Sequence, residues 1–378
     1  MIVLVGDVLY FNSTIGIIGD SPNGIMLART AKRMGFRVLA YGTDENNPTL
    51  NEADMKFVGN GFDKLKLQDF AQRCDVVTYE STQVSVESLR FIQQYTNLVQ
   101  GCETLELMQD RLVERAFFEQ LNLNVAPYAT VVGLDDIYQA VTSIGYPCVL
   151  KPIQKNYGKQ REVLIQKQTD IANCAGVLEL GTYILESYLS RAKEISVIVA
   201  LDRNKRAQVF SPVECVYQKQ DLHKVLTPIN LEKTVQQELW RQVKEIVSEL
   251  NYVGVLKLGF YLTASQMIYV KDVVPALHPA GYLFDKATNI SMFEQHIRAL
   301  ANIPLVTPKL LQPTVQVMIN EQDQGALRTQ LVLKDNWFYN YYRYPEALQK
   351  QTKQGYLLVL ADNVLTANQQ IEATGIWE

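Results

Sequence analysis

Apolar and polar positions alternate with two periods along this chain, and the switches between them mark out its elements. The run TIGIIG at 14–19 reads as a buried strand closed by glycine. After the turn DSPNG at 20–24, residues 25–34 set Ile25, Met26, Leu27, Ala28 and Ala31 at helical spacing, and GFRVLAY at 35–41 returns as a strand. A helix over 64–74, a strand over 75–80 and a helix over 85–95 follow. Strands joined by crossover helices predict an open parallel α/β domain in the first hundred residues.

Further along, one amphipathic helix starts at Leu107 and carries Arg111 near its beginning. A helix over 134–144 leads into a short apolar strand that ends in Lys151; the polar, basic loop 154–161 and a strand over 162–166 complete a hairpin. Strands are expected over 183–189 and from Lys193 onward. The helix over 234–250 shows Val235, Leu239, Val243, Ile246, Val247 and Leu250 on one stripe. Residues 255–262 and 267–274 read as a β-hairpin, followed by the loop 275–281 and a helix over 291–300. The proline-bearing stretch 304–313 predicts a boundary, and the remainder, with its aromatic run at 336–344, predicts a small β domain.

Composition narrows the functional classes. The chain has 378 residues, 47% of them apolar and 20% charged, which suits two or three globular domains. A formal net charge of −4 gives no basic face for nucleic acid, so the aromatic run is read as core and not as a stacking platform. No apolar run is long enough to span a membrane, and the opening MIVLVGDVLY lacks a basic n-region. It is read as a short strand or an adhesive tail. Five well-separated cysteines without a CxxC pair predict reduced, buried thiols and a cytoplasmic protein.

Candidate chemistry gathers at strand ends. The hairpin delivers Asp272 and His278 to one end, where they could hold a metal and an anionic substrate; the plainer account is a core hairpin with a solvent-facing aspartate. Lys151 at a strand end could act as a point charge on phosphate. The first strand–helix junction is a natural anion site, but its GDSPNG loop carries an acid and a proline and does not fit G-x-G-x-x-G, which argues against a nicotinamide cofactor.

Taken in order, these blocks resemble ATP-grasp enzymes. More closely, the chain resembles the 5-(carboxyamino)imidazole ribonucleotide synthase family, the ATP-dependent carboxylases of purine biosynthesis. The resemblance rests on IGIIG at 15–19, AKRMGF at 31–36, CDVVTYE at 74–80, LMQDRL at 107–112, IGYPCVLK at 144–151, LESYL at 185–189, KEISV at 193–197, YVGV at 252–255 and VP-x-x-H at 274–278. It implies an α/β pre-ATP-grasp domain over 1–112 and an ATP-grasp domain over 113–305. The latter divides into a lid near 113–187 and a central part near 188–305, and a small C-terminal β domain spans 306–378. The implied reaction joins aminoimidazole ribonucleotide and bicarbonate using ATP and Mg²⁺, by positioning and charge neutralisation. Carried over by position, Arg111 and Lys151 would meet ATP phosphates, with Lys151 and His278 catalytic. Glu186, Ser187, Tyr188 and Leu189 would hold adenine, Glu194 the ribose, and Asp272 the metal. Gly19, Gly24, Tyr79, Glu80, Tyr157 and Lys353 would face the ribonucleotide, and the assembly would be a cytoplasmic homodimer with no nucleic-acid or membrane partner.

The departures from the family pattern sit on the chemistry. The phosphate lid reads KNYGKQRE at 155–162 and has lost three glycines, Gly259 falls where a metal carboxylate is expected, Lys271 replaces an asparagine, and Ala276 replaces an arginine. Each lost preorganised donor costs about 2.7–4 kcal/mol of transition-state binding. Two alternatives to the parent reaction therefore stand: a nucleotide-binding paralogue with impaired catalysis, and an ATP-grasp ligase for another acid or amine.

Overall fold

The structure is a computed structural model that describes residues 8–155, 162–218, 221–342, 344 and 353–377. The opening seven residues and most of the 154–161 loop, Tyr157 included, lie outside the described residues.

Three sheets organise the chain. The first is parallel, in the order Met55–Val58, Arg37–Gly42, Thr14–Ile18, Val76–Tyr79. Its first helix, Pro22–Arg33, starts with proline, whose missing N–H is no loss there, and Ser21 caps it by accepting from the Asn23 amide. Gly35 ends that unit at φ +88, in the left-handed region that suits glycine.

The second sheet is antiparallel, in the order Tyr128–Val131, Tyr183–Ser187, Cys148–Pro152, Val163–Ile165. One face packs on the Leu134–Ile144 helix through Val131, Ile137, Leu150, Ile165 and Leu185.

The third sheet has nine strands. It runs Ile268–Val274, Gly254–Leu262, Lys193–Leu201, Val213–Gln218, Asp221–Thr227, Thr314–Asn320, Lys353–Leu360, Trp337–Tyr341, with Ala207–Val209 paired to Lys193–Leu201. The Lys233–Glu249 helix covers one face with the stripe that the sequence shows, Val235, Leu239, Val243 and Ile246. The opposite face shares a core with the parallel domain, so that Ile15, Ile25, Ile198, Phe293 and Tyr356 belong to one apolar cluster. All five cysteines are buried and free.

Two readings of the sequence need correction. The helix expected from Leu107 onward is two helices, Glu103–Gln109 and Arg111–Gln120. Asp110 takes an extended backbone between them, and its carboxylate accepts from the amides of Leu112 at 2.8 Å and Val113 at 3.1 Å, a cap that starts the second helix. The C-terminal segment is not built of β-strands alone, and it continues the large sheet. Thr314–Asn320 pairs directly with Asp221–Thr227, continuing the large sheet, and the helices Gln324–Leu333 and Val364–Glu372 accompany its strands. Trp337 of the aromatic run is buried in the sheet's core, as the composition argued.

Candidate active site

The small antiparallel sheet and the large sheet face each other across a cavity of about 800 Å³. Lys151, Glu186 and Glu194, from three different strands, all line it, together with Arg111, Ser187, Tyr188, Leu189 and Asp272. Strand pairing builds the lid side: Val149 stands opposite Glu186, and Lys151 follows two residues on, on the same face.

The Lys151 ammonium lies 2.7 Å from one Glu186 oxygen, and the Arg115 guanidinium lies 2.7 Å from the other. Burial opposes charge on Glu186, but the two cations overcome it and hold its carboxyl down to about 2. Arg111 sits at the N-terminus of its helix, donates to the Pro152 carbonyl at 3.0 Å and pairs with Glu162 at 2.8 Å. That helix start is fastened to the lid strand, since Gln154 donates to Asp110 at 2.8 Å and the Arg111 amide to the Ile153 carbonyl at 2.9 Å.

On the hairpin that borders the cavity through Asp272, Gly259 stands opposite Asp272 in register. The Lys257 ammonium, on the same strand as Gly259 and 1% exposed along its side chain, lies 2.6 Å from Asp272 Oδ1. Beside it, Lys271 lies 2.5 Å from Glu194 and 5.0 and 5.6 Å from the ring centres of Tyr217 and Tyr261. Lys155 lies 2.6 Å from Glu114, which also accepts from the Val273 amide at 3.0 Å. Burial works against ionised Asp272, yet Lys257, Lys271 and Lys155 hold it far below the usual carboxylate range.

The divalent metal that the resemblance implies does not fit this arrangement. One Asp272 oxygen already holds an ammonium, and the opposing strand offers only Gly259. Among the described residues, no group of three or more His, Cys, Asp or Glu converges to hold a metal ion.

Other expected residues lie elsewhere. His278 accepts from the Ala280 amide at 3.1 Å and caps the short turn Pro279–Gly281. Burial, reinforced by the Lys257 charge, pushes its pKa down to about 3, so it is neutral at physiological pH. Tyr79 and Glu80 are buried at the end of the parallel sheet. Glu80 accepts from the Ser21 amide at 2.8 Å and from the Ser21 hydroxyl, closing the loop that carries Gly19 and Gly24. Lys353 pairs with Asp221 at 2.9 Å. None of these borders the cavity.

Several cavity residues escaped the sequence reading: Glu114, Arg115, Tyr217, Tyr261 and, behind them, Lys257. Only Lys257 left a signal. It is a charge inside the apolar run VLKLGF, and a lysine in a strand covered on both faces requires a buried partner.

Comparison with known proteins places the chain. A family model described as the ATP-grasp domain matches residues 116–293, and one described as the ribonucleotide synthetase preATP-grasp domain matches residues 12–109. The N5-carboxyaminoimidazole ribonucleotide synthase of Staphylococcus saprophyticus is 28% identical over 365 residues, 96% of this chain and 97% of the relative. That of Bacillus subtilis is 29% identical over 351 residues, 93% and 92% of the two chains. Among solved structures, an ADP complex of an N5-carboxyaminoimidazole ribonucleotide synthetase matches with a TM-score of 0.92 at 29% identity, covering 98% of each chain. The Staphylococcus aureus synthetase complexed with ADP matches with a TM-score of 0.89 at 28% identity, covering 97% of this chain and 98% of that one.

Proposed function

We propose, from the premise that the chain belongs to the N5-carboxyaminoimidazole ribonucleotide synthase family of ATP-grasp proteins, that its cleft binds ATP and drives N-carboxylation of 5-aminoimidazole ribonucleotide. The single observation that carries this reading is the convergence of Lys151, Glu186 and Glu194 on one cavity. Adenine would lie against the backbone of residues 186–189 and the ribose hydroxyls at Glu194. The phosphates would point toward Lys151, Lys155 and Arg111. Each lysine pairs with one carboxylate through a single ammonium N–H, which leaves donors for phosphate oxygens. In the reaction, bicarbonate oxygen takes the γ-phosphoryl group and ADP leaves; the substrate amine then takes the carboxyl carbon, and phosphate leaves. The chain's own cations position the donor and spread the developing charge, and no step is routed through a metal. The resemblance further implies a homodimer in the cytoplasm, which sedimentation and fractionation would test.

Gly259 and the Lys257–Asp272 pair favour a second reading, in which the cleft binds nucleotide but transfers phosphoryl slowly. Two measurements separate the possibilities. ADP release that needs both aminoimidazole ribonucleotide and bicarbonate supports the first reading. A thermal shift with ATP or ADP of the size expected from about 2.7 kcal/mol at a hundredfold excess over Kd, without turnover, supports the second. No shift at saturating nucleotide would sink both.

A further inference from the structure

Among the described residues six acids line the cavity, and each is paired with a cation of the same chain; Glu162 pairs with Arg111 and Glu214 with Lys193. Glu186 holds Lys151 at 2.7 Å, Glu114 holds Lys155 at 2.6 Å, Glu194 holds Lys271 at 2.5 Å, and Asp272 holds Lys257 at 2.6 Å. A divalent ion entering here would have to displace ammonium groups that are already paired, leaving buried charges uncompensated.

The local geometry at Gly259 shows how the innermost pair is accommodated. A Cβ on Gly259 would come within 2.7 Å of the Lys257 ammonium and into the Asp272 carboxylate. Both are closer than any real side-chain carbon sits, so the missing side chain is what gives that ion pair its room. The pair occupies the space a side chain at Gly259 would need, and the Lys257 side chain is 1% exposed there.

We propose that this end of the cleft is a metal-independent anion site, in which Lys155 and Lys271, which line the cavity beside Asp272, take a nucleoside polyphosphate, while Lys257, buried behind them in the space that Gly259 vacates, neutralises Asp272 in place of a divalent ion. The inference deepens the nucleotide-binding reading above and rests on it. A metal-free ADP trianion brings its full charge to these lysines, whereas an ADP–Mg²⁺ complex arrives partly neutralised and must also find ligands that are already taken.

Isothermal titration with ADP, in EDTA and again in excess Mg²⁺, tests this on the full chain. The expected result is binding in EDTA at least as tight as in Mg²⁺. Affinity that rises about tenfold or more with Mg²⁺ overturns the proposal while leaving nucleotide binding intact. No binding in either buffer overturns it together with the reading it rests on. The double variant Lys257→Thr with Gly259→Glu removes the ammonium and adds a carboxylate beside Asp272. It should lose affinity about tenfold in EDTA and regain it in Mg²⁺. An unchanged metal response in a variant whose melting curve shows it folded counts against the proposal. Lys257→Met, which keeps the volume and drops the charge, should show the EDTA loss alone, and a folded Lys257→Met that binds like the parent also counts against it.

Discussion

Glu80 and Glu186 are both buried carboxylates, and their surroundings push them in opposite directions. Glu80 has no cation against it, so burial wins over the Ser21 hydrogen bonds and lifts its pKa from 4.5 to about 7. The raised value means that Glu80 favours folding most below pH 4.5 and that this contribution fades as the pH rises through about 7. Glu186 is the reverse: held down to about 2 by Lys151 and Arg115, it favours folding above 4.5 and loses that contribution as the pH falls toward 2. Glu80→Gln keeps an acceptor and a donor for Ser21 without the titration. Urea midpoints of that variant should change less than those of the parent between about pH 5 and pH 8, with the variant gaining relative stability at the upper end. Parallel curves for the two proteins would refute the assignment.

Among the elements, the Arg111–Gln120 helix does most to assemble the cleft, because Arg111, Glu114 and Arg115 all leave it toward the cavity. Its start depends on Asp110, which caps the helix and is tied to Gln154. Asp110→Ala should cost about 1 kcal/mol in stability, the usual value of such a cap. It should also weaken ADP binding, since three charged side chains lose their common anchor. A folded variant with unaltered ADP affinity would show that the cap does not position the site. The sequence reading passed over this junction for a physical reason. Apolar positions at Leu107, Met108, Leu112 and Phe118 keep helical spacing across it, and periodicity cannot detect a break that preserves phase. Glu114 and Arg115 carry no local mark of their role, because what buries them comes from strands distant in sequence. Lys151 was legible as a charge at a strand end, and Glu186 and Glu194 through the family resemblance. Their arrangement into lysine–carboxylate pairs was not, because cross-strand register decides it.

Over the whole molecule, the large sheet is the unit of stability. Its Thr314–Asn320 and Lys353–Leu360 strands extend the ladder that begins at the Gly254–Val274 hairpin, and Tyr356 and Leu358 share a core with Ile25 of the first helix. Removing residues 314–378 would bare the Asp221–Thr227 edge and open that core. The truncated chain should be insoluble or lack a cooperative melt, as checked by expression and circular dichroism. A soluble product with one sharp transition would mean that the C-terminal part is the independent domain that the sequence pattern predicts. Much of the order of strands and helices was readable from hydrophobic period, but the strands within 207–227 and the helices over 324–333 and 364–372 were not. The joining of separate stretches into one nine-stranded sheet was not, because nothing in a strand's own sequence names its neighbour.

Every thiol of the chain is enclosed, one or more in each of the three sheets' cores, and burial pushes Cys74 up to about 12 and Cys148 and Cys215 up to about 11. Alkylating reagents consequently meet these sulfurs only when the surrounding shell opens, so the order in which the five become labelled is a clock for which layer of the molecule loosens first.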